Sequence, residues 1–168
     1  MAQTEPHEEL TEDTILTGER NYESALDIVF SLAERELLVF DQDLSLGAYA
    51  SFRRYELIRA FLAKDPHNRL TLVLHDAAYF STRCPRLHDL LAIYGHAMAV
   101  YETSDQAKAA ADCFVLVDGK HYVRRFHTDH ARFRYALNDS ETTRLLSLRF
   151  DELLEASSKS VTATRLGL

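Results

Sequence analysis

Hydrophobic and polar positions along this chain switch between two periods. Tyr22, Leu26, Val29, Phe30 and Ala33 recur at helical spacing, which predicts an amphipathic helix over about 19–33. The run Glu36–Asp41 (ELLVFD) is short, apolar and closed by an acid, the pattern of a buried strand. Phe52, Tyr55, Ile58, Phe61 and Leu62 return to the helical period over 50–63, and Asp65-Pro66 stops it. Arg69–Asp76 (RLTLVLHD) predicts a second strand. Pro85 suits the first turn of a helix. Leu87, Leu90, Leu91 and Tyr94 mark the buried face of that helix, and Gly95 ends it. Ala97–Glu102 (AMAVYE) predicts a third strand.

The rhythm then changes. Cys113–Val117 and His121–Phe126 read as two strands joined around Asp118-Gly119, the dipeptide that tight hairpins favour. Arg132–Leu137 predicts a further strand. Asp139 or Ser140 caps a last helix, and Leu146, Phe150, Leu153 and Leu154 carry its stripe to about Ala156. Strand–helix alternation implies parallel strands with helices on both faces, and the hairpin adds antiparallel strands. The expected fold class is α/β, a single mixed β-sheet flanked by helices on both faces. Its domain spans 17–156, between a flexible acidic tail at 1–16 and a second flexible tail at 157–168.

Composition narrows the setting. A chain of 168 residues, 46% hydrophobic, suits one domain with its own core. Cys84 and Cys113 stand far apart and form no C-x-x-C pair, as expected of a reducing, cytoplasmic setting without a disulfide framework. The acidic start (MAQTEPHEELTED) lacks the apolar run of a signal peptide, and no apolar stretch is long enough to span a membrane. A net charge of −7 disfavours non-specific binding to nucleic acid or anionic lipid, both polyanions.

The segment Asp112–Ser157 resembles the phospholipase D-like superfamily. Members carry H-x-K-x4-D on a strand entering a hairpin, then a Gly-Ser and an Asn. Their closing segment is similar to NDSETTRLLSLRFDELL (Asn138–Leu154) here. The preceding LTLVLHD, PRLHDLLAIYG and MAVYE fit the strand–helix–strand before that motif, so the similarity covers roughly residues 20–156. Aligned on Asp118, Ala111 stands where the family has its nucleophilic histidine and Cys113 where it has its phosphate-neutralising lysine. Arg125 and Phe126 replace the Gly-Ser pair, and Thr128 replaces the Asn. The resemblance therefore implies a phospholipase D-like domain whose catalytic His and Lys are missing, with no cofactor. It also implies a homodimer facing across a two-fold axis through the hairpin and residues 124–135.

Four residues are the candidate ligand contacts: Asp118, Arg124, Arg125 and His127. Asp118 has a stronger reading as turn chemistry, because Asp-Gly is what a tight hairpin needs on backbone grounds. The run Lys120–Arg134 is locally basic and interleaved with Tyr122, Phe126, Phe133 and Tyr135, so it could receive a phosphate-bearing ligand or stack bases. The plainer reading makes Arg124 and His121 the wet face of a strand and the aromatics its core. Asp41, Asp43, His75, Asp76 and Glu102 gather at strand ends, where carboxylates and an imidazole could hold a metal but more often cap turns. No metal-ligand spacing supports the former. Cys84 at a helix start, with His88 four residues on, is a weak nucleophile signal. No G-x-G-x-x-G or G-x-x-x-x-G-K loop occurs. Three functions stay open: a non-catalytic binding or scaffolding module, a phosphate- or nucleic-acid-binding protein using the Arg124/Arg125/His127 cluster, and a cryptic phosphodiesterase or phosphotransferase using His127 or His130.

Overall fold

The structure, a computed structural model, describes residues 10–163. Among the described residues, eight strands form one mixed sheet in the order β1-β7-β6-β5-β2-β3-β4-β8. The central parallel strands are β2 (Glu36–Asp41), β3 (Arg69–Leu74) and β4 (Met98–Thr103). Beside β2 run the antiparallel β5 (Cys113–Val117), β6 (His121–His127) and β7 (His130–Ala136). The short β1 (Leu16–Thr17) covers the outer side of β7, and β8 (Ser157–Val161) the outer side of β4. The mixed sheet with helices on both faces is as the sequence predicts.

Alternation along each strand sorts side chains into two cores. Leu37, Val39, Leu70, Leu72, Val115, Val123 and Phe133 join the core under α1 (Glu19–Leu32), α2 (Phe52–Lys64), α3 (Ala78–Arg83) and α4 (Pro85–Ile93). Phe40, Val73, Phe114, Leu116 and Tyr122 join the core under α5 (Ser140–Glu155). Each face is thus closed by amphipathic helices whose apolar stripe meets the matching row of the pleat.

Local chemistry fixes the ends. Ser51 caps α2 by accepting the Arg54 N–H at 3.2 Å, and Asp139 caps α5 by accepting the Thr142 N–H at 3.0 Å. Asp118 and Gly119 both have positive φ, 54° and 69°, as a primed hairpin turn requires, and the Lys120 N–H closes the turn on the Val117 carbonyl at 3.0 Å.

Three expectations need correction, and one helix was not expected. Residues 157–161, expected in a loose tail, are β8, paired with β4. Residues 10–17, mostly assigned to the other tail, are pinned: Asp13 N–H donates to the Tyr135 carbonyl, the Tyr135 hydroxyl donates to Leu10 O, and Glu12 accepts the Leu137 N–H. The rest of both expected tails, 1–9 and 164–168, lies outside the described residues. β3 ends at Leu74, leaving His75 and Asp76 in the following turn. Between that turn and Pro85 sits α3, which buries Phe80 and has too short a stripe to announce itself.

The β2–α2 connection folds back over the sheet end. Leu44, Gly47 and Ala48 all have positive φ (69°, 84° and 56°), and Leu44 and Tyr49 are buried in the α1-side core. A positive φ in a bulky residue such as Leu44 is strained and is held only by its surroundings. Arg54 supplies one restraint. It is 1% exposed, donates to Gly47 O at 3.0 Å and pairs with Asp27 at 3.2 Å. Its guanidinium lies between the rings of Phe30 and Tyr49, 4.8 and 5.4 Å from their centroids, so its other N–H groups face aromatic surface.

Candidate functional site

The edge of the sheet formed by the carboxyl ends of β2, β3 and β4 also holds the start of β5 and the end of β6. Cys113 is the direct cross-strand partner of Arg125. Thr128 N–H donates to Ala111 O at 3.0 Å, and the Thr128 hydroxyl lies 3.9 Å from Cys113 Sγ. The four positions matched above to the family's His, Lys, Gly and Asn therefore converge at one place. They present a methyl, a thiol, a guanidinium and a hydroxyl.

The thiol is not an activated one. Cys113 is buried, and burial, with the Asp41 carboxylate beside it, pushes its thiol far above the usual range. Asp41 is itself buried, which drives its carboxyl up to about 6; N–H donation from Leu44 (2.6 Å) and Asp43 (3.3 Å) works in the opposite direction. Burial also raises the hydroxyls of Tyr22 and Tyr49 well above the usual phenol range, with Asp41 contributing.

Arg125 is 1% exposed and faces away from the basic run that suggested it. Both its terminal nitrogens meet the carboxylate of Glu19, at 2.7 and 2.8 Å. It also donates to Thr128 O (2.8 Å) and His127 O (3.3 Å) and lies 5.0 Å from the Tyr22 ring centroid. The guanidinium draws Glu19 below the ordinary carboxylate range. Sequence reasoning missed Glu19, whose only local signal is an acid in the first turn of α1.

On the α5 side of the same edge, Asp112 is nearly buried between two guanidiniums. Arg149 grips it with both terminal nitrogens, and Arg124 donates to it at 3.2 Å. Burial alone would raise this carboxyl, but the two arginines outweigh it and the net shift is downward. Arg149 also sits over Phe114 and Phe40, 5.6 and 6.0 Å from their centroids. Close by, His75 bridges the Thr103 hydroxyl and Ala110 O, both at 2.7 Å, and Gln42 donates to Ala110 O and Asp112 O at 3.0 Å. These bonds strap the segment before β5 across the strand ends.

Of the four candidate contacts, three lie at this edge and one does not. Asp118 occupies the hairpin turn at the far end of β5 and β6, about 20 Å away at a strand's rise per residue. Its carboxylate accepts the N–H groups of Glu34, Arg35 and Glu36 at 2.7–2.9 Å, stitching the hairpin to the start of β2. Arg124 is half-buried and occupied with Asp112. His127 stands at the exposed β6–β7 tip opposite His130, its Nδ1 accepting the Asp129 N–H at 3.1 Å. His121, read as wet face, is instead buried, with Nδ1 accepting the Asn138 N–H. Tyr122, Phe133 and Tyr135 are core residues, and Phe126 is half-buried.

The other clusters resolve into structure. Asp43 accepts from Ser45, Asp76 from Ala78 N–H and Glu102 from Ala77 N–H, so the strand-end acids cap turns. Cys84 is buried and its thiol is pushed up to about 11, the opposite of an activated nucleophile. A surface pocket of about 610 Å³ opens at the other end of the parallel strands, between Glu34, Arg35, Lys64, Asp65, His67 and Asn68, away from the convergence point.

Solved structures share this fold. TrmBL2, an archaeal chromatin protein described as showing a novel mode of DNA binding, matches 92% of this chain with a TM-score of 0.67 and 11% identity. This chain spans 56% of TrmBL2, so the comparison concerns part of that protein. Nuc from Salmonella typhimurium, a phospholipase D family member, matches 89% of this chain and 98% of its own, with a TM-score of 0.58 and 8% identity. NucT from Helicobacter pylori matches 86% and 96%, with a TM-score of 0.58 and 9% identity. The fold is phospholipase D-like, as the sequence resemblance implies. No sequence among the curated proteins matches. One family model, described as a domain of unknown function (DUF7931), matches residues 19–166.

Proposed function

The chain belongs to the DUF7931 family, and we propose that it is a non-catalytic phospholipase D-like module that binds rather than turns over its ligand. The observation that carries this reading is the convergence of Ala111, Cys113, Arg125 and Thr128 at one sheet edge. A covalent phosphoryl intermediate needs an accessible nucleophile. Ala111 offers none, and the thiol there is buried and held protonated. The cryptic alternative needs His127 or His130 to converge with Asp118 or the arginines. Asp118 lies at the far end of the hairpin, and Arg124, at the same edge as His127, is occupied by Asp112, which weighs against it. The purified protein is expected to leave bis-p-nitrophenyl phosphate, DNA and phospholipid intact. Hydrolysis lost in His127→Ala or His130→Ala at unchanged Tm would overturn the proposal.

A second reading, binding of a phosphate-bearing polymer, is favoured by one observation: TrmBL2, with the same fold, is a DNA-binding chromatin protein. Here the net charge of −7 opposes it globally, while Arg124, Arg132 and Arg134 on one face of β6 and β7 favour it locally. Binding of this kind weakens with salt as counterions are released. Oligonucleotide anisotropy on native protein and on Arg124→Ala/Arg132→Ala tests it, and equal affinity in both would remove it. We also propose a homodimer paired through the β5–β6 hairpin and residues 124–135. Light scattering across a concentration series that returns only the monomer mass would exclude the dimer.

A further inference from the structure

We infer that Arg125 is the floor of an oxyanion slot, closed in this conformation by the chain's own Glu19 carboxylate acting as a stand-in for the anionic group of a ligand. The inference rests on the reading of a binding module and names its ligand class: a phosphate or carboxylate group.

Three features carry it. The guanidinium is 1% exposed, yet the carboxylate it grips is 48% exposed, so the pair is a buried receptor with a wet occupant. The receptor is held without its occupant. Thr128 O, His127 O and the Tyr22 ring fix the guanidinium from other sides, leaving its two outer N–H groups presented as a fork. The occupant is one side chain, on the first turn of α1, and no hydrogen bond beyond those to Arg125 is seen at its carboxylate among the described residues. Gly18 precedes that turn at φ 104° and offers no side-chain cap, so the positive end of a 14-residue helix adds to the field at the fork. A carboxylate and a phosphate present the same geometry to such a fork. An incoming oxyanion exchanges for Glu19 with one charge-assisted pair lost and one gained, and the displaced side chain swings into water. No bond of the ligand breaks.

Thermal unfolding of Glu19→Ala and Glu19→Gln, with phosphate or acetate titrated at constant ionic strength, tests the slot. Removing the carboxylate strands a buried charge, so Tm is expected to fall by roughly 10 °C. Phosphate then restores it, each tenfold rise beyond the dissociation constant adding an equal increment. The native protein responds little. The double variant Glu19→Ala/Arg125→Gln gains nothing from either anion. Should Glu19→Ala not fold alone, refolding on addition of phosphate supports the slot, and Glu19→Gln carries the titration. Recovery by acetate as well as phosphate supports the slot and extends its ligands to carboxylates. No recovery by either, or equal recovery in the double variant, overturns it. Hydrolysis by the native protein would count against the non-catalytic reading alone, whereas an anion-blind Glu19 variant without hydrolysis counts against the slot alone.

Discussion

Asp41 shows how one buried side chain sets a pH response. Its carboxyl titrates at about 6 in the folded protein against 3.8 when exposed. Between those values the folded state holds the proton more tightly. Stability therefore falls as pH rises through this window, and the loss is complete above it at ~3 kcal/mol. Asp41→Asn removes the titration and keeps an acceptor for the Leu44 N–H. It is expected to stabilise by about 1–3 kcal/mol at neutral pH and by little near pH ~4, measured by urea unfolding at both. Asp118 is a structural anchor, since three N–H groups depend on it and its φ is positive. Asp118→Ala is expected to cost about 2–3 kcal/mol, and Asp118→Asn less, because Asn tolerates that φ and retains one acceptor oxygen. A Cβ on Gly47 would meet Leu26 Cδ1 at 2.7 Å at φ +84°. Gly47→Ala should accordingly lower stability by about 2 kcal/mol or more, readable as a shifted urea midpoint.

At the scale of elements, legibility followed local chemistry. The β5–β6 hairpin could be read because Asp-Gly and two apolar runs lie within one short window. The strands β1 and β8 could not: LT is two residues long, and SSKSV has no apolar alternation, so tertiary pairing alone makes them strands. The candidate site was legible in place but not in partnership. Arg125 and its neighbours were flagged, but Glu19 lies 106 residues away and Arg149 lies 37 from Asp112, distances over which no periodicity speaks. Arg149 joins α5 to the start of β5, and its loss leaves Asp112 with Arg124 alone. Arg149→Ala is expected to cost about 2 kcal/mol, less than a fully buried pair because Arg149 is one-third exposed. A double cycle with Asp112→Asn, expected to return a coupling of about 1 kcal/mol, isolates the pair.

For the whole molecule, alternation of strands and helices predicted the parallel centre and the mixed sheet, because crossover rules leave few other ways to connect such elements. The insertion of β5 between β6 and β2 was beyond those rules. It is set by register contacts such as Leu38 with Leu116, and by Asp118 reaching the start of β2. The result is two interlocked halves, since β1 completes the antiparallel half and β8 the parallel half.

That exchange of outer strands puts β1 and β8 on opposite rims of the sheet, seven inter-strand steps apart. At about 4.8 Å per step the rims are separated by ~34 Å. Many domains bring their ends together and accept re-threading through a short joint. In a variant cut back to these strands, a direct link from Val161 of β8 to Leu16 of β1 would need a bridge of at least ~10 extended residues. A shorter one would pull a rim strand off its ladder, so cyclic variants with graded bridges should lose stability abruptly below that length.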